Sequence, residues 1–252
     1  MKISATIILS GLIFILISCG QNTAQKSDTY GQWMKKPQDQ WPQITMINRI
    51  DYVDKQYPVA GCGFLLDIGD DTLAATAKHI LTFFKSDSMN AISFNNSLRQ
   101  WTMFPKNNPD DSVIIGKMIN ENPQESLTNI APARDWLLFT LKDESPNIQP
   151  LRFRETPLQE GEPVYIIGWR YSDKECPQVI YEGNFVRAEE GSFLITTKEL
   201  TNNTMPGLSG SPVIDANGYL LGLMSQKAGE MERPASIDYP KQIIDKWKTE
   251  KD

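Results

Sequence analysis

The chain is predicted to be all-β, closed by one C-terminal helix. Two observations carry this. Short runs rich in β-branched and aromatic residues recur between turn-forming clusters, and no long stretch shows a helical period before Asp238. This pattern implies a sandwich or a pair of barrels and argues against an α/β fold.

The first residues are read as a leader. "MKISATIILSGLIFILISCG" places Lys2 ahead of an apolar run from Ile3 to Ile17 and ends in small residues, the pattern of a signal peptide. A short anchor that stays uncut is the alternative, although a membrane span needs about 20 apolar residues. "LISC", Leu16 to Cys19, resembles the lipobox of bacterial lipoproteins. That resemblance implies removal of residues 1–18, acylation of the Cys19 thiol and a domain held outside the cytoplasm on a bacterial envelope membrane. Residues 19–43 are polar, with "QNTAQKSD" and "MKKPQDQ", and are read as a lipidated N-terminus and flexible tether. Packing of Trp33 and Trp41 on the domain surface is the alternative there.

Without the leader the chain has a length that suits one domain of two packed halves, since single cores stop growing near about 250 to 300 residues. The first series of β-type runs is "ITMINRIDYV", "AGCGFLLDI", "TLAATAKHIL", "AISF", "RQWTMF", "SVIIGKMI" and "DWLLFTL". The second is "EPVYIIGW", "QVIYEGNFVRA", "SFLITTKEL", "SPVID" and "YLLGLMS". In "DYPKQIIDKWKTEKD", Pro240 marks a helix start and Ile243, Ile244 and Trp247 share one face.

Composition excludes several function classes. The formal net charge is -6, and no cluster of Lys and Arg stands out, which argues against nucleic acid as a partner. No pair of Cys or His residues has the spacing of a zinc site, and "DIGDD" lacks a calcium-loop ligand ladder, so no metal is expected. With Cys19 lipidated, Cys62 and Cys176 remain, either as one disulfide or as two buried thiols.

"NNTMPGLSGSPVIDANGYLLGLMS" packs Gly207, Ser209 and Gly210 into a turn before a hairpin. A serine hydroxyl is a weak nucleophile until a base takes its proton and a third group orients that base. The sequence holds one histidine, His79 in "ATAKHI". A lone histidine is more often a packed residue than a catalyst, so its partners decide. Asp135 heads the apolar run "RDWLLFTL"; Asp110 and Asp111 compete for its role but sit in the loop "NNPDDS".

With T-A-x-H around His79, D-x-x-L-L from Asp135 and G-x-S-G-x-P around Ser209, the chain resembles the trypsin-like (chymotrypsin-fold) serine proteases. "SGSP" is most similar to the bacterial glutamyl-endopeptidase branch. The resemblance implies two packed six-stranded antiparallel β-barrels with a C-terminal α-helix, the N-terminal barrel over about 44–148 and the C-terminal barrel and helix over about 149–252. It implies Ser209 as nucleophile, His79 as base, Asp135 as orienter, and the N–H groups of Gly207 and Ser209 as the oxyanion hole. It also implies a monomer acting on protein or peptide substrates without a cofactor.

Two departures from that family matter. Digestive relatives carry, just before the serine, an aspartate that pairs with a newly cut N-terminus; here it is Leu208, so that activation switch is excluded. The glutamyl branch has a second histidine where this chain has Met224. Asn203, Thr204 and Met224 are expected around the substrate side-chain pocket, favouring an uncharged residue before the cleaved bond. Ser225, Gln226 and Lys227 are expected to pair with substrate backbone. The rival reading is an inactive trypsin-like fold serving as a lipid-anchored binding module. An esterase is excluded, because the G-x-S-x-G elbow is missing.

The leader reading has a direct check. The mature protein should begin at an acylated Cys19, and Cys19→Ala should leave it unprocessed or soluble. Intact-mass spectrometry showing an unmodified N-terminus at another residue would reject the assignment.

Overall fold

The computed structural model describes residues 30–143, 147–173, 178–200 and 205–251. The leader, Cys19, Cys176, Asn203 and Thr204 lie outside them. Two closed antiparallel six-stranded barrels pack side by side, with a helix at the C-terminus.

The first barrel is built from β1 (Met46–Tyr52), β3 (Cys62–Asp67), β4 (Thr72–Thr76), β6 (Leu98–Phe104), β7 (Val113–Met118) and β9 (Leu137–Leu141). The ring runs β1-β3-β4-β9-β7-β6 and closes through β1 and β6. The short β2 (Gln56–Tyr57) extends β1, while β5 (Ala91–Ile92) and β8 (Asn122–Ser126) form a separate ribbon. Phe64, Trp101, Leu138 and Phe139 are fully buried in its core. Asn48 is the polar pin of this barrel. Its amide donates to Ala60 O at 3.1 Å and Cys62 O at 2.8 Å, and its oxygen accepts from Trp101 Nε1 at 2.9 Å. A buried amide is tolerated there because its groups are satisfied.

The second barrel closes in the order β10-β11-β12-β15-β14-β13. Its strands are β10 (Pro163–Gly168), β11 (Val179–Glu189), β12 (Ser192–Thr197), β13 (Pro212–Asp215), β14 (Leu220–Ala228) and β15 (Met231–Ser236). Along β11, Tyr181 and Phe185 point inward while Glu182 faces solvent, the period-2 pattern of a strand buried on one face. The interior is filled by Ile166, Phe193, Ile195, Val213 and Leu221.

The "TLAATAKHIL" run is strand only as far as Thr76. It then turns through His79 into a single helical turn, α1 (Ile80–Phe83). The closing helix, α2 (Asp238–Lys251), buries Pro240 and Ile244, with Ile243 and Trp247 packed partly against the first core. Asp238 in its first turn and Lys248 and Lys251 in its last complement the helix dipole. Lys248 Nζ also donates to Ile68 O in the β3–β4 turn at 2.7 Å.

Tyr30 to Gln43 lie against the domain, where the sequence reading placed tether with surface packing as the alternative. Tyr30 Oη donates to Gly218 O at 3.0 Å, and Trp41 stands edge-on to Tyr165 of β10 and to Trp33. Aromatic burial fixes a stretch whose composition is otherwise polar. Among the described residues, no helix is long and apolar enough to cross a membrane.

Candidate active site

Strand register creates the first half of the site. β4 pairs with β9 so that Thr76 lies opposite Leu137, and continuing that register brings Lys78 to Asp135, whose carbonyl accepts the Lys78 N–H at 3.4 Å. His79 follows as the first residue of the turn into α1. Its own N–H donates to Asp135 Oδ1 at 2.7 Å, and its Nδ1 stands 2.6 Å from Asp135 Oδ2. Asp135 is fully buried, while the His79 side chain keeps about a fifth of its surface open. A carboxylate only accepts hydrogen bonds, so Nδ1 carries a proton, and in the neutral imidazole Nε2 presents its lone pair. That lone pair faces Ser209 Oγ at 2.6 Å.

The second barrel supplies the serine and a further partner. Ser225, in β14, donates its hydroxyl to Asp135 Oδ2, so that carboxylate receives hydrogen bonds from both barrels. Trp136, next to the aspartate, donates from Nε1 to Ser236 O of β15 at 2.9 Å and fastens the same junction. The sequence reading placed Ser225 along substrate backbone. Its bond to Asp135 was not legible, because nothing in sequence aims a strand-edge hydroxyl.

The turn around Ser209 depends on two glycines. Gly207 and Gly210 have φ of 107° and 84°, in the region L side chains avoid. A Cβ at Gly210 would fall 2.2 Å from Cys62 O, and one at Gly207 would fall 2.7 Å from Tyr171 N. The closeness at Gly210 reflects a tie across the barrels, in which Cys62 N–H donates to Ser209 O at 2.8 Å. Within the turn, Leu208 N–H is taken by Met205 O and Gly210 N–H by Met224 O. The N–H groups of Gly207 and Ser209 have no acceptor among the described residues. Pro206 O accepts from Tyr171 N–H at 2.8 Å, and in a trans peptide the following N–H points the opposite way, so the Gly207 donor faces away from Tyr171. Leu208 is fully buried in the second-barrel core, where apolar packing sets the turn.

Beside Ser209 lies a cavity of about 300 Å³ lined by Met205, Pro206, Leu208, Met224, Ser225 and Lys227, among others. Met224 lines it, Asn203 and Thr204 lie outside the described residues, and Lys227, expected along substrate backbone, belongs to the same lining. Lys227 contributes an ammonium whose Nζ is 3.6 Å from Glu232 Oε1 in the adjacent β15. Glu232 is fully buried, and neither of its carboxyl oxygens has a hydrogen-bond partner among the described residues. The pair leaves this wall without net charge when both groups are ionised. Burial raises the Glu232 carboxyl above the usual carboxylate range, opposed by the Lys227 charge. Sequence reasoning missed Glu232 because "MERPAS" did not read as a strand.

Cys62 is buried and forms no disulfide among the described residues, outside which Cys176 lies. It donates to Gly207 O at 3.3 Å, and burial pushes its pKa up to about 11. Among the described residues, no group of three or more His, Cys, Asp or Glu side chains converges on a point.

The model of the trypsin-like peptidase domain family matches residues 61–223, a span that includes His79, Asp135 and Ser209. Among solved structures, the active form of the Rv3671c protease from M. tuberculosis is similar, with a TM-score of 0.54 and 16% identity over 81% of this chain and 81% of that chain. The same protease in its inactive form gives a TM-score of 0.50 and 16% identity over 81% and 88%. At such identity the likeness is one of fold. Comparison with curated protein sequences gives no match.

Glu232 makes stability depend on pH in a defined direction. The folded state holds its proton more tightly than the unfolded chain, so stability falls as pH rises through the unfolded value toward the folded one. Glu232→Gln should therefore raise Tm at neutral pH, and the gain should vanish below about pH 4, where both states are protonated. Thermal unfolding across this range checks it; a Tm lowered at neutral pH would show that ionised Glu232 is stabilising.

Proposed function

The chain belongs to the trypsin-like peptidase family, and on that premise we propose that it is a serine endopeptidase anchored to a membrane through Cys19. The observation that carries the reading is the single hydrogen-bonded line from Asp135 through His79 to Ser209, with both contacts of the imidazole at 2.6 Å.

In this mechanism Ser209 Oγ attacks the scissile carbonyl carbon while His79 Nε2 takes the hydroxyl proton. Asp135 keeps the imidazole in the tautomer that presents Nε2 and faces the imidazolium once it forms. The carbonyl oxygen, now carrying the negative charge, is met by the N–H groups of Gly207 and Ser209. One such donor is worth about 2.7 to 4 kcal/mol of transition-state stabilisation. Collapse of the tetrahedral species breaks the C–N bond, and His79 returns its proton to the leaving amine. Water then repeats the sequence on the acyl-enzyme, with His79 again as base, and releases the acid and free Ser209. The Lys227–Glu232 wall supports a preference for an uncharged residue before the cleaved bond, since an added charge would stand against a pair already neutralised.

Ser209→Ala and His79→Ala should each remove nearly all peptide hydrolysis with the fold intact by circular dichroism. The double variant should be hardly slower than either, because triad members act as a unit. Asp135→Asn should lower kcat by about 10⁴-fold through loss of the tautomer lock. Since His79 is the chain's one histidine, the pH profile of kcat/KM should follow the titration of that ring measured by NMR. Hydrolysis at the wild-type rate in Ser209→Ala would reject the mechanism and favour a binding module.

A further inference from the structure

Lys78, the residue before His79, is fully buried, the only lysine or arginine so placed among the described residues. The triad makes no use of its charge. Its side chain reaches β8 and α2 instead: Nζ stands 2.7 Å from Glu125 Oε1 and 5.2 Å from the centroid of the Tyr239 ring. Both contacts favour the ammonium, the second because an aromatic face attracts a cation at that range. Yet a buried ion pair is a weak source of stability, since taking both charges out of water offsets most of their attraction. The Glu125 side chain keeps only 22% of its surface exposed, so both partners bear that desolvation.

What the pair fixes is position. The β4–β9 register ends with Thr76 opposite Leu137. Beyond it the Lys78 N–H reaches Asp135 O at 3.4 Å, longer than the usual range of about 2.7 to 3.2 Å. The sheet therefore holds the chain loosely just before the imidazole, which must meet Asp135 and Ser209 at 2.6 Å each. Lys78 O also accepts the Leu81 N–H at 3.1 Å, so the same residue opens the turn into α1. We propose that Lys78, clamped by Glu125 and Tyr239, is a positioning residue that holds in place the peptide leading into His79, an inference that rests on the serine-endopeptidase reading. Glu125 belongs to the ribbon outside the first barrel and Tyr239 to the closing helix, so the clamp ties the base to two elements that are part of neither barrel.

The test compares Lys78→Met, Glu125→Gln and the double variant with the wild type. Each is measured for Tm, for kcat and KM on one internally quenched peptide with uncharged residues around the bond, and for the low-field proton signal of the His79 ring. Glu125→Gln leaves an ammonium buried without its carboxylate and should lower Tm most. Lys78→Met leaves a carboxylate that water can meet, and the double variant leaves no charge, so both should keep Tm near the wild-type value. Positioning predicts that kcat falls about 10- to 100-fold in all three with KM within about twofold, the scale on which a displacement of about 1 Å acts. His79 is the chain's one histidine, so the proton it shares with Asp135 gives one low-field signal, which should shift or broaden in the same three variants. A role in stability alone predicts loss only where Tm falls. Wild-type kcat and an unmoved signal in Lys78→Met and the double variant therefore overturn the proposal. If the wild type cleaves no peptide but its signal is present and moves in all three variants, the endopeptidase reading fails and the positioning of His79 stands. If the signal does not move either, both fall.

Discussion

The buried carboxylate of Asp135 is the constraint on which the site depends. A carboxylate without access to water is tolerable only when its oxygens receive hydrogen bonds, and the cost of leaving it unmet is several kcal/mol. Here the donors are the main chain and the ring of His79 from the first barrel and the hydroxyl of Ser225 from the second. Satisfying one charge therefore fixes a backbone turn, an imidazole orientation and the approach of two barrels. Trp136 reinforces the same junction through Ser236, and Cys62 through the carbonyl of Ser209.

The serine turn obeys a complementary constraint. Positive φ at Gly207 and Gly210 lets the chain pass so close to Cys62 and Tyr171 that no side chain would fit. Carbonyls in and around the turn are occupied: Pro206 O by Tyr171, Ser209 O by Cys62, Leu208 O by Ser211. The N–H groups of Gly207 and Ser209 are left without an acceptor among the described residues, which supports the oxyanion-stabilising role proposed for this turn. Burial of Leu208 in the second core replaces any charged device at that position.

An all-β chain with a closing helix was legible in the composition, whereas the choice of a barrel pair over a sandwich and the grouping of His79, Asp135 and Ser209 came through the resemblance to the trypsin-like proteases. Strands buried on one face declare themselves by composition, and three motifs in one order constrain a site far better than any alone. What escaped has physical reasons. The β8 segment "NPQES" is polar because it pairs only with β5 outside the barrel. The β15 segment "MERPAS" carries Pro234 and turns Glu232 inward, against the expected pattern. Tyr30 to Gln43 are polar overall, and three aromatic rings hold them to the domain. Ser225 matters through Asp135, a residue of the other barrel that only the packing of the two barrels brings near, and Glu232 through Lys227, its partner across the β14–β15 pair.

The central claim is that Ser209 is an activated nucleophile held by His79 and Asp135. Labelling the full-length protein with a fluorophosphonate and mapping the adduct by peptide mass spectrometry tests it most directly, because the reagent reports nucleophilicity without needing the natural substrate. The account predicts one adduct per chain, located on Ser209, lost in His79→Ala and much slower in Asp135→Asn. No adduct on a folded wild-type chain, or an adduct at Ser209 that forms equally fast without His79, would contradict it.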